Sequence, residues 1–406
     1  MRFYTNVVQW GNQILVREYK NGERLNHKVK YSPTLYVPVQ KETGWKTLDG
    51  KNVMPYKHDT IKDAKEFIQQ YQNQPHLVFG LDRFAYTYLG DVYPDKVEWD
   101  SDKILVVTID IETQCENGFP DPEKAEEEML SITIKNQTTK KIVVWGIGDY
   151  HNDREDVTYI NCSNENELLA QFMNFWTKHY PDVITGWNTE FFDIPFLVNR
   201  VTKVLGEDRA KEFSPWGNIT SRSVYSHGRP QQVYDIQGVA NLDYLQLYQK
   251  FTYTRQESYR LDHIAFVELG EKKNENPYDT FKDWYTKDYQ SFIDYNIVDV
   301  ELVDRLEDKM KLLELLFTMA YEAKVNYDDV FGQVKYWDVL IHNYLKNKKI
   351  VIPQKSHTSK SDKYEGAYVK EPQVGQHKWV MSFDLNSLYP HLIMQYNMSP
   401  ETLVTG

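Results

Sequence analysis

The chain has 406 residues, 41% of them apolar and 26% charged, a globular composition with room for two or three domains. No run approaches the roughly 18 consecutive apolar residues of a membrane span, and the N-terminus Met1-Arg2-Phe3-Tyr4-Thr5-Asn6 has no apolar leader, so a cytoplasmic protein with no membrane partner is expected. Two cysteines, Cys115 and Cys162, exclude a disulfide framework, and a net charge of −12 argues mildly against a phosphate-binding surface while leaving room for an acidic metal site.

Residues 13–19 and 25–31 are β-prone runs on either side of Asn21-Gly22, a hairpin signal, and residues 34–38 read as another strand. Asp59 is placed to cap a helix running to about Gln72, with Ile61, Ala64, Phe67, Ile68 and Tyr71 at helical spacing. This first α+β unit shows no catalytic cluster. From about Ser101, strands at 104–111, 129–134, 141–147 and 182–187 alternate with helices at 165–180 and 196–205, which predicts an α/β layer architecture around a central sheet. Residues 288–324 read as two helices, 356–363 as a polar linker, and 379–385 as a last strand before Leu388-Tyr389-Pro390.

Three clusters carry chemistry. In Val107-Thr108-Ile109-Asp110-Ile111-Glu112, strand alternation puts Asp110 and Glu112 on one face and the apolar side chains on the other. Two carboxylates side by side repel, and a divalent cation removes that cost; an exposed acidic edge is the plainer alternative. Gly186-Trp187-Asn188-Thr189-Glu190-Phe191-Phe192-Asp193 follows an apolar strand, where α/β sheets build sites; helix capping by Asp193 is the alternative. Tyr295 and Asp299 are i and i+4 on one helical face, and a carboxylate flanked by Val298 and Val300 needs a partner, which a metal or a nearby base can supply. Together these carboxylates and the phenol suit two hard cations at a phosphodiester, with Tyr295 orienting a water, since a phenol of pKa about 10 is a poor base at neutral pH.

In order and spacing, Asp110-Ile111-Glu112, Asn188 to Asp193 and Tyr295 to Asp299 resemble the Exo I, II and III motifs of family B DNA polymerases. Phe119-Pro120-Asp121-Pro122, Leu242-Asp243-Tyr244-Leu245 and Gly366-Ala367-Tyr368-Val369 are similar to stretches of the T-even phage type within that family. The resemblance implies a proofreading 3′→5′ exonuclease with an RNase H-like (DnaQ-like) fold. It makes Asp110, Glu112, Asp193 and Asp299 ligands of two Mg²⁺ or Mn²⁺ ions, with Tyr295 positioning the water. Asn188 and Phe192 are expected at the substrate. Phe119 either packs on unpaired 3′ bases or is a buried staple beside Pro120. Tyr225-Ser226-His227-Gly228-Arg229-Pro230 falls where the family has a strand-separating hairpin, although an ordinary surface hairpin looks the same.

Ser382-Phe383-Asp384-Leu385-Asn386-Ser387-Leu388-Tyr389-Pro390 resembles polymerase motif A, with Asp384 as a metal ligand and Tyr389 under the incoming sugar. The fingers lysine motif, the second palm carboxylates and the thumb have no counterpart, so the chain is not expected to polymerise alone. The expected organisation is an N-terminal α+β domain at 1–101, the exonuclease at 102–311, a helical segment returning to the first domain at 312–355, and a linker with an incomplete palm at 356–406. DNA with single-stranded or frayed 3′ ends is the expected partner. The alternatives are one subunit of a split polymerase completed by a second polypeptide, and a nucleic-acid module binding RNA.

Overall fold

The computed structural model describes residues 1–115, 118–226, 228–271, 276–354, 366–399 and 402. They form two compact units, Met1–His357 and Thr358–Gly406.

The first unit begins with an antiparallel meander, β1 (Arg2–Trp10), β2 (Gln13–Lys20) and β3 (Glu23–Lys30). Asn21 and Gly22 both take positive φ, 51° and 98°, the two-residue turn whose twist matches the strands it joins. β1 has no counterpart among the predicted strands: its residues 3–7 are buried consecutively and its pairing slips between Tyr4 and Asn6, so no clean alternation marks it. β4 (Thr34–Pro38), β5 (Trp45–Thr47) and β6 (Asn52–Lys57) belong to a second sheet. α1 (Ile61–Gln70) follows, and its cap is Thr60 rather than the predicted Asp59. The Thr60 hydroxyl accepts the Asp63 N–H at 3.2 Å while the Asp63 carboxylate accepts the Thr60 N–H at 3.0 Å, and this reciprocal pair fixes the start of the helix. α2 (Phe84–Val92) then packs on β1.

The alternating region gives β7 (Val106–Thr113), β8 (Met129–Asn136), β9 (Ile142–Gly146), β10 (Val157–Asn161), α3 (Glu165–Lys178), β11 (Val183–Thr185), α4 (Asp193–Leu205), α5 (Glu207–Lys211), the β12 (Ile219–Ser226) and β13 (Arg229–Ile236) hairpin, and β14 (Ala240–Asn241). The sheet order is β10-β9-β8-β7-β11-β14. β8 runs antiparallel to both its neighbours, while β7, β11 and β14 run parallel. One face buries Ile109, Ile111 and Trp145 against Leu169 and Phe172 of α3 and Phe196 of α4. Four helices follow, α6 (Tyr244–Phe251), α7 (Leu261–Leu269), α8 (Phe281–Lys287) and α9 (Tyr289–Met310). The opposite face of the sheet buries Leu130, Ile142 and Val144 against Phe292, Ile293 and Ile297 of α9. Asp110 and Glu112, alternating with Ile109 and Ile111, therefore turn toward α9.

The predicted helix pair 288–324 is α9 followed by α10 (Leu312–Ala323), broken at Lys311 in the left-handed region, φ 57°. α10 returns to the meander, where Leu313, Phe317 and Tyr321 share a core with Phe3, Tyr4 and Val7. α11 (Gln333–Asn347) and β15 (Ile350–Val351) complete the unit, β15 closing the sheet β15-β5-β6-β4.

The second unit contains α12 (Leu388–Gln395). The strand predicted at 379–385 does not form: no described residue pairs with that backbone, and Trp379, Phe383 and Leu385 are exposed. An apolar run alone does not make a strand without a neighbour for its N–H and C=O groups. The predicted linker at 356–363 lies outside the described residues. Among the described residues no helix is long and apolar enough to cross a membrane.

Candidate active site

The site is built where β7, the loop after β11 and α9 meet. Asp110 and Glu112 project from the α9 side of β7 and Asp299 comes from α9; one oxygen of each lies within 4.8 Å of the others. Glu112 and Asp299 are buried and Asp110 is half-buried. Three carboxylates this close repel one another strongly in a partly dry site. Their all-oxygen donor set fits a hard divalent cation such as Mg²⁺ or Mn²⁺ and suits zinc or copper poorly.

Two buried polar residues to which the sequence motifs assign no role hold this arrangement. Asn296, fully buried on α9, donates its amide N–H to Asp110 at 2.5 Å. Its own oxygen accepts the Ser131 hydroxyl at 3.0 Å and the Thr133 hydroxyl, so the amide orientation is fixed from β8. An Asn three residues before Asp299 in an apolar helix was the available signal, because a buried amide needs partners. Asp243 caps α6 and accepts the backbone N–H groups of Leu245 at 2.9 Å, Asn188 at 3.0 Å and Glu190 at 3.2 Å. Burial pushes the Asp243 carboxyl up to about 7, and those donors oppose the shift by favouring the charged form.

The loop pinned by Asp243 starts at Gly186, where a Cβ would sit 2.4 Å from the carbonyl oxygen of Ile109, so a side chain there would push the loop off β7. Asn188 takes φ 70°, the left-handed region that Asn tolerates. α4 then begins at Asp193. Asp193 is not the helix cap that one reading allowed: Phe192 occupies that position and makes no side-chain cap. The Asp193 carboxylate instead crosses to β7 and accepts the Ile111 N–H at 3.2 Å. It lies outside the close trio but lines the same cavity, and burial raises its carboxyl above the usual range.

That cavity has a volume of about 800 Å³ and is lined by all five residues of the predicted catalytic set, together with Asn188, Phe192 and Phe119. The Tyr295 ring stands edge-on to buried Trp284, centroids 4.8 Å apart. Phe119 is 81% exposed and lies 4.9 Å, centroid to centroid, from Phe192. It is thus no buried staple beside Pro120. Further lining, which no motif in the sequence marks, comes from α7 and its approach, including Arg260, His263 and Phe266, and from Phe281 of α8. The β12–β13 hairpin is tied in through Arg222, which pairs with Asp235 at 3.2 Å and with Glu190 at 3.1 Å; residue 227 of its predicted turn lies outside the described residues. Asp384 and Tyr389, the two motif A candidates, belong to the second unit; both are exposed, Tyr389 on α12.

Comparison with known proteins matches residues 64–264 to the family model "DNA polymerase family B, exonuclease domain" and residues 331–406 to "DNA polymerase family B". The chain is 34% identical to the DNA-directed DNA polymerases of Enterobacteria phage T4 and Escherichia phage RB69, over 99% of this chain and 47% of each relative. It is 28% identical to the DNA polymerase delta catalytic subunit of Candida albicans, over 77% of this chain and 31% of that relative. The chain therefore spans about half the length, or less, of these relatives.

Proposed function

Because the chain belongs to DNA polymerase family B, we propose that the cavity between β7, the loop after β11 and α9 is a 3′→5′ exonuclease site acting on single-stranded or frayed DNA 3′ ends and releasing 5′-mononucleotides. The observation that carries this reading is the convergence of Asp110, Glu112 and Asp299 within 4.8 Å at one cavity. The β9-β8-β7-β11-β14 order, with β8 antiparallel to β7, supports an RNase H-like exonuclease unit. We place that unit at residues 102–311, in a protein working in the host cytoplasm.

Asp110, Glu112, Asp193 and Asp299 would hold the cations, which when bound would offset charge on the scissile phosphate and ease deprotonation of the attacking water. Asn296 keeps the Asp110 carboxylate turned into the cavity. Tyr295, seated against Trp284, orients the water through its hydroxyl. Phe119 offers its exposed face to the 3′-terminal base, with Phe192 packed beside it and Asn188 lining the same cavity. Phe119→Ala is expected to raise KM for a single-stranded oligonucleotide on the order of tenfold, the scale of one lost base–aromatic stack, with little change in kcat; steady-state kinetics on single-stranded and fully paired ends checks it.

A 5′-labelled DNA oligonucleotide with Mg²⁺ tests the reading. A ladder shortening from the 3′ end and stopped by EDTA supports it, whereas an intact oligonucleotide refutes it; an RNA oligonucleotide of the same sequence tests the preference for DNA.

The raised Asp193 carboxyl sets a pH dependence. Its proton competes with the cation for the same oxygens, so affinity rises as pH rises through its titration. The Mg²⁺ concentration giving half-maximal rate is expected to fall several-fold between about pH 6 and about pH 8.5, and Asp193→Asn should flatten that dependence.

A further inference from the structure

The proposed exonuclease site is strongly acidic, and its substrate is a polyanion. Asp110, Glu112, Asp193, Asp262 and Asp299 line the cavity, and among the described lining residues Arg260 is the only lysine or arginine. Cations at the carboxylate cluster answer the charge of the scissile phosphate. They do not answer the neighbouring phosphates, which a single strand must bring into the same cavity to place its 3′ end.

Arg260 stands on a fixed support. It precedes α7, whose Leu261, Ile264 and Ala265 are buried in the core. The residue before it, Tyr259, gives its carbonyl to the Trp187 indole N–H at 3.0 Å, which ties this corner to the loop bearing Asn188. Positions 260, 263 and 266 are then left on the cavity side, as Arg, His and Phe. Arg260 is exposed, and among the described residues its guanidinium forms no ion pair or hydrogen bond. Arg222, on the hairpin tied to the loop after β11, is by contrast committed to Asp235 and Glu190. An uncommitted planar fork of donors opening on an acidic cavity matches a phosphate oxygen pair in charge and shape.

We infer that Arg260 is a substrate-binding residue that grips a backbone phosphate adjoining the scissile one and so sets how the strand enters the cavity. The inference rests on the exonuclease reading above and adds a phosphate-anchoring residue to the cavity that holds the carboxylates. Phe266, half exposed two turns along the same helix, extends this wall with an apolar face.

The test has two arms. In the first, 5′-labelled single-stranded DNA is digested with Mg²⁺ by wild type, Arg260→Ala and Arg260→Lys. Arg260→Ala is expected to raise KM on the order of tenfold with kcat within about twofold, and Arg260→Lys to restore part of the loss, because a point charge replaces a fork. In the second, binding of the same oligonucleotide is followed by anisotropy against salt in the Asp110→Ala/Glu112→Ala background, where no cleavage intervenes. Removing one phosphate contact should lower the log–log salt slope by about 0.7 in Arg260→Ala and leave it unchanged in Arg260→Lys. If wild type shortens the oligonucleotide but Arg260→Ala leaves both KM and slope unchanged, the Arg260 inference is overturned and the nuclease reading stands. If wild type shortens nothing, the nuclease reading falls and takes this inference with it.

Discussion

Asp110→Ala/Glu112→Ala is expected to slow 3′-end shortening by at least about 10³-fold, on the order of 4 kcal/mol of barrier, while the protein stays folded. Both side chains leave the same face of β7 and, with Asp299, put three oxygens within 4.8 Å. Removing two of the three takes away most of the negative donor set that concentrates cations at the phosphate, so the loss is catalytic. Stability without cations reflects two opposed effects. Deleting two charges relieves the repulsion within the cluster, while losing Asp110 leaves the buried Asn296 amide N–H without its acceptor. The melting temperature in EDTA should therefore stay close to that of wild type, and the stabilisation wild type gains from Mg²⁺ should vanish in the variant. Asp110→Asn isolates the charge from the shape, because it preserves side-chain volume next to Asn296. Activity near wild type in the double variant would place the chemistry elsewhere.

Much of this site was legible because its residues obey local periodicities. Alternation along β7 put Asp110 and Glu112 on one face and Ile109 and Ile111 on the other, and that is how they stand between α9 and the α3–α4 layer. Spacing of four along α9 put Tyr295 and Asp299 on one face, and both line the cavity. What stayed hidden depends on contacts distant in sequence. Asn296 gains its role only when β8 brings Ser131 and Thr133 against it, and Asp243 only when the end of β14 lies beside the loop after β11. Arg260, His263 and Phe266 carry no motif; the packing of α7 on α9 turns them to the cavity. The strand expected at 379–385 failed for the same reason in reverse, since its pattern was apolar but pairing is a property of two segments. β1 escaped because burial on both faces and a slip in register erase the period of two.

The largest loss of stability is expected from Asp182→Ala. Asp182 sits just before β11, is 2% exposed and joins the first meander to the central sheet. Its carboxylate accepts the Thr5 hydroxyl at 2.9 Å, the Leu105 N–H at 2.8 Å and the Arg24 guanidinium at 3.2 Å, and pairs with Arg17 at 3.2 Å. Arg17, itself 4% exposed, spends its other donors on the carbonyls of Pro181 and Gly238, both at 2.6 Å, and of Tyr180 at 3.1 Å. Burial works against the Arg17 charge and Asp182 is the first of the groups that sustain it. Truncating Asp182 leaves that cation buried with carbonyls alone, a cost of about 3–5 kcal/mol. In a unit of this size the melting temperature should fall by roughly 4–7 °C if it melts cooperatively. Arg17→Met alone should cost less than Asp182→Ala, because Asp182 keeps Arg24, Thr5 and the Leu105 N–H. Combining the two should recover part of the loss, since an apolar pair replaces an orphaned charge. The scan that decides is calorimetry of the four proteins in parallel. Additive losses would mean that Asp182 and Arg17 stabilise the junction independently, and the ion pair would then be an incidental contact between two separately anchored side chains.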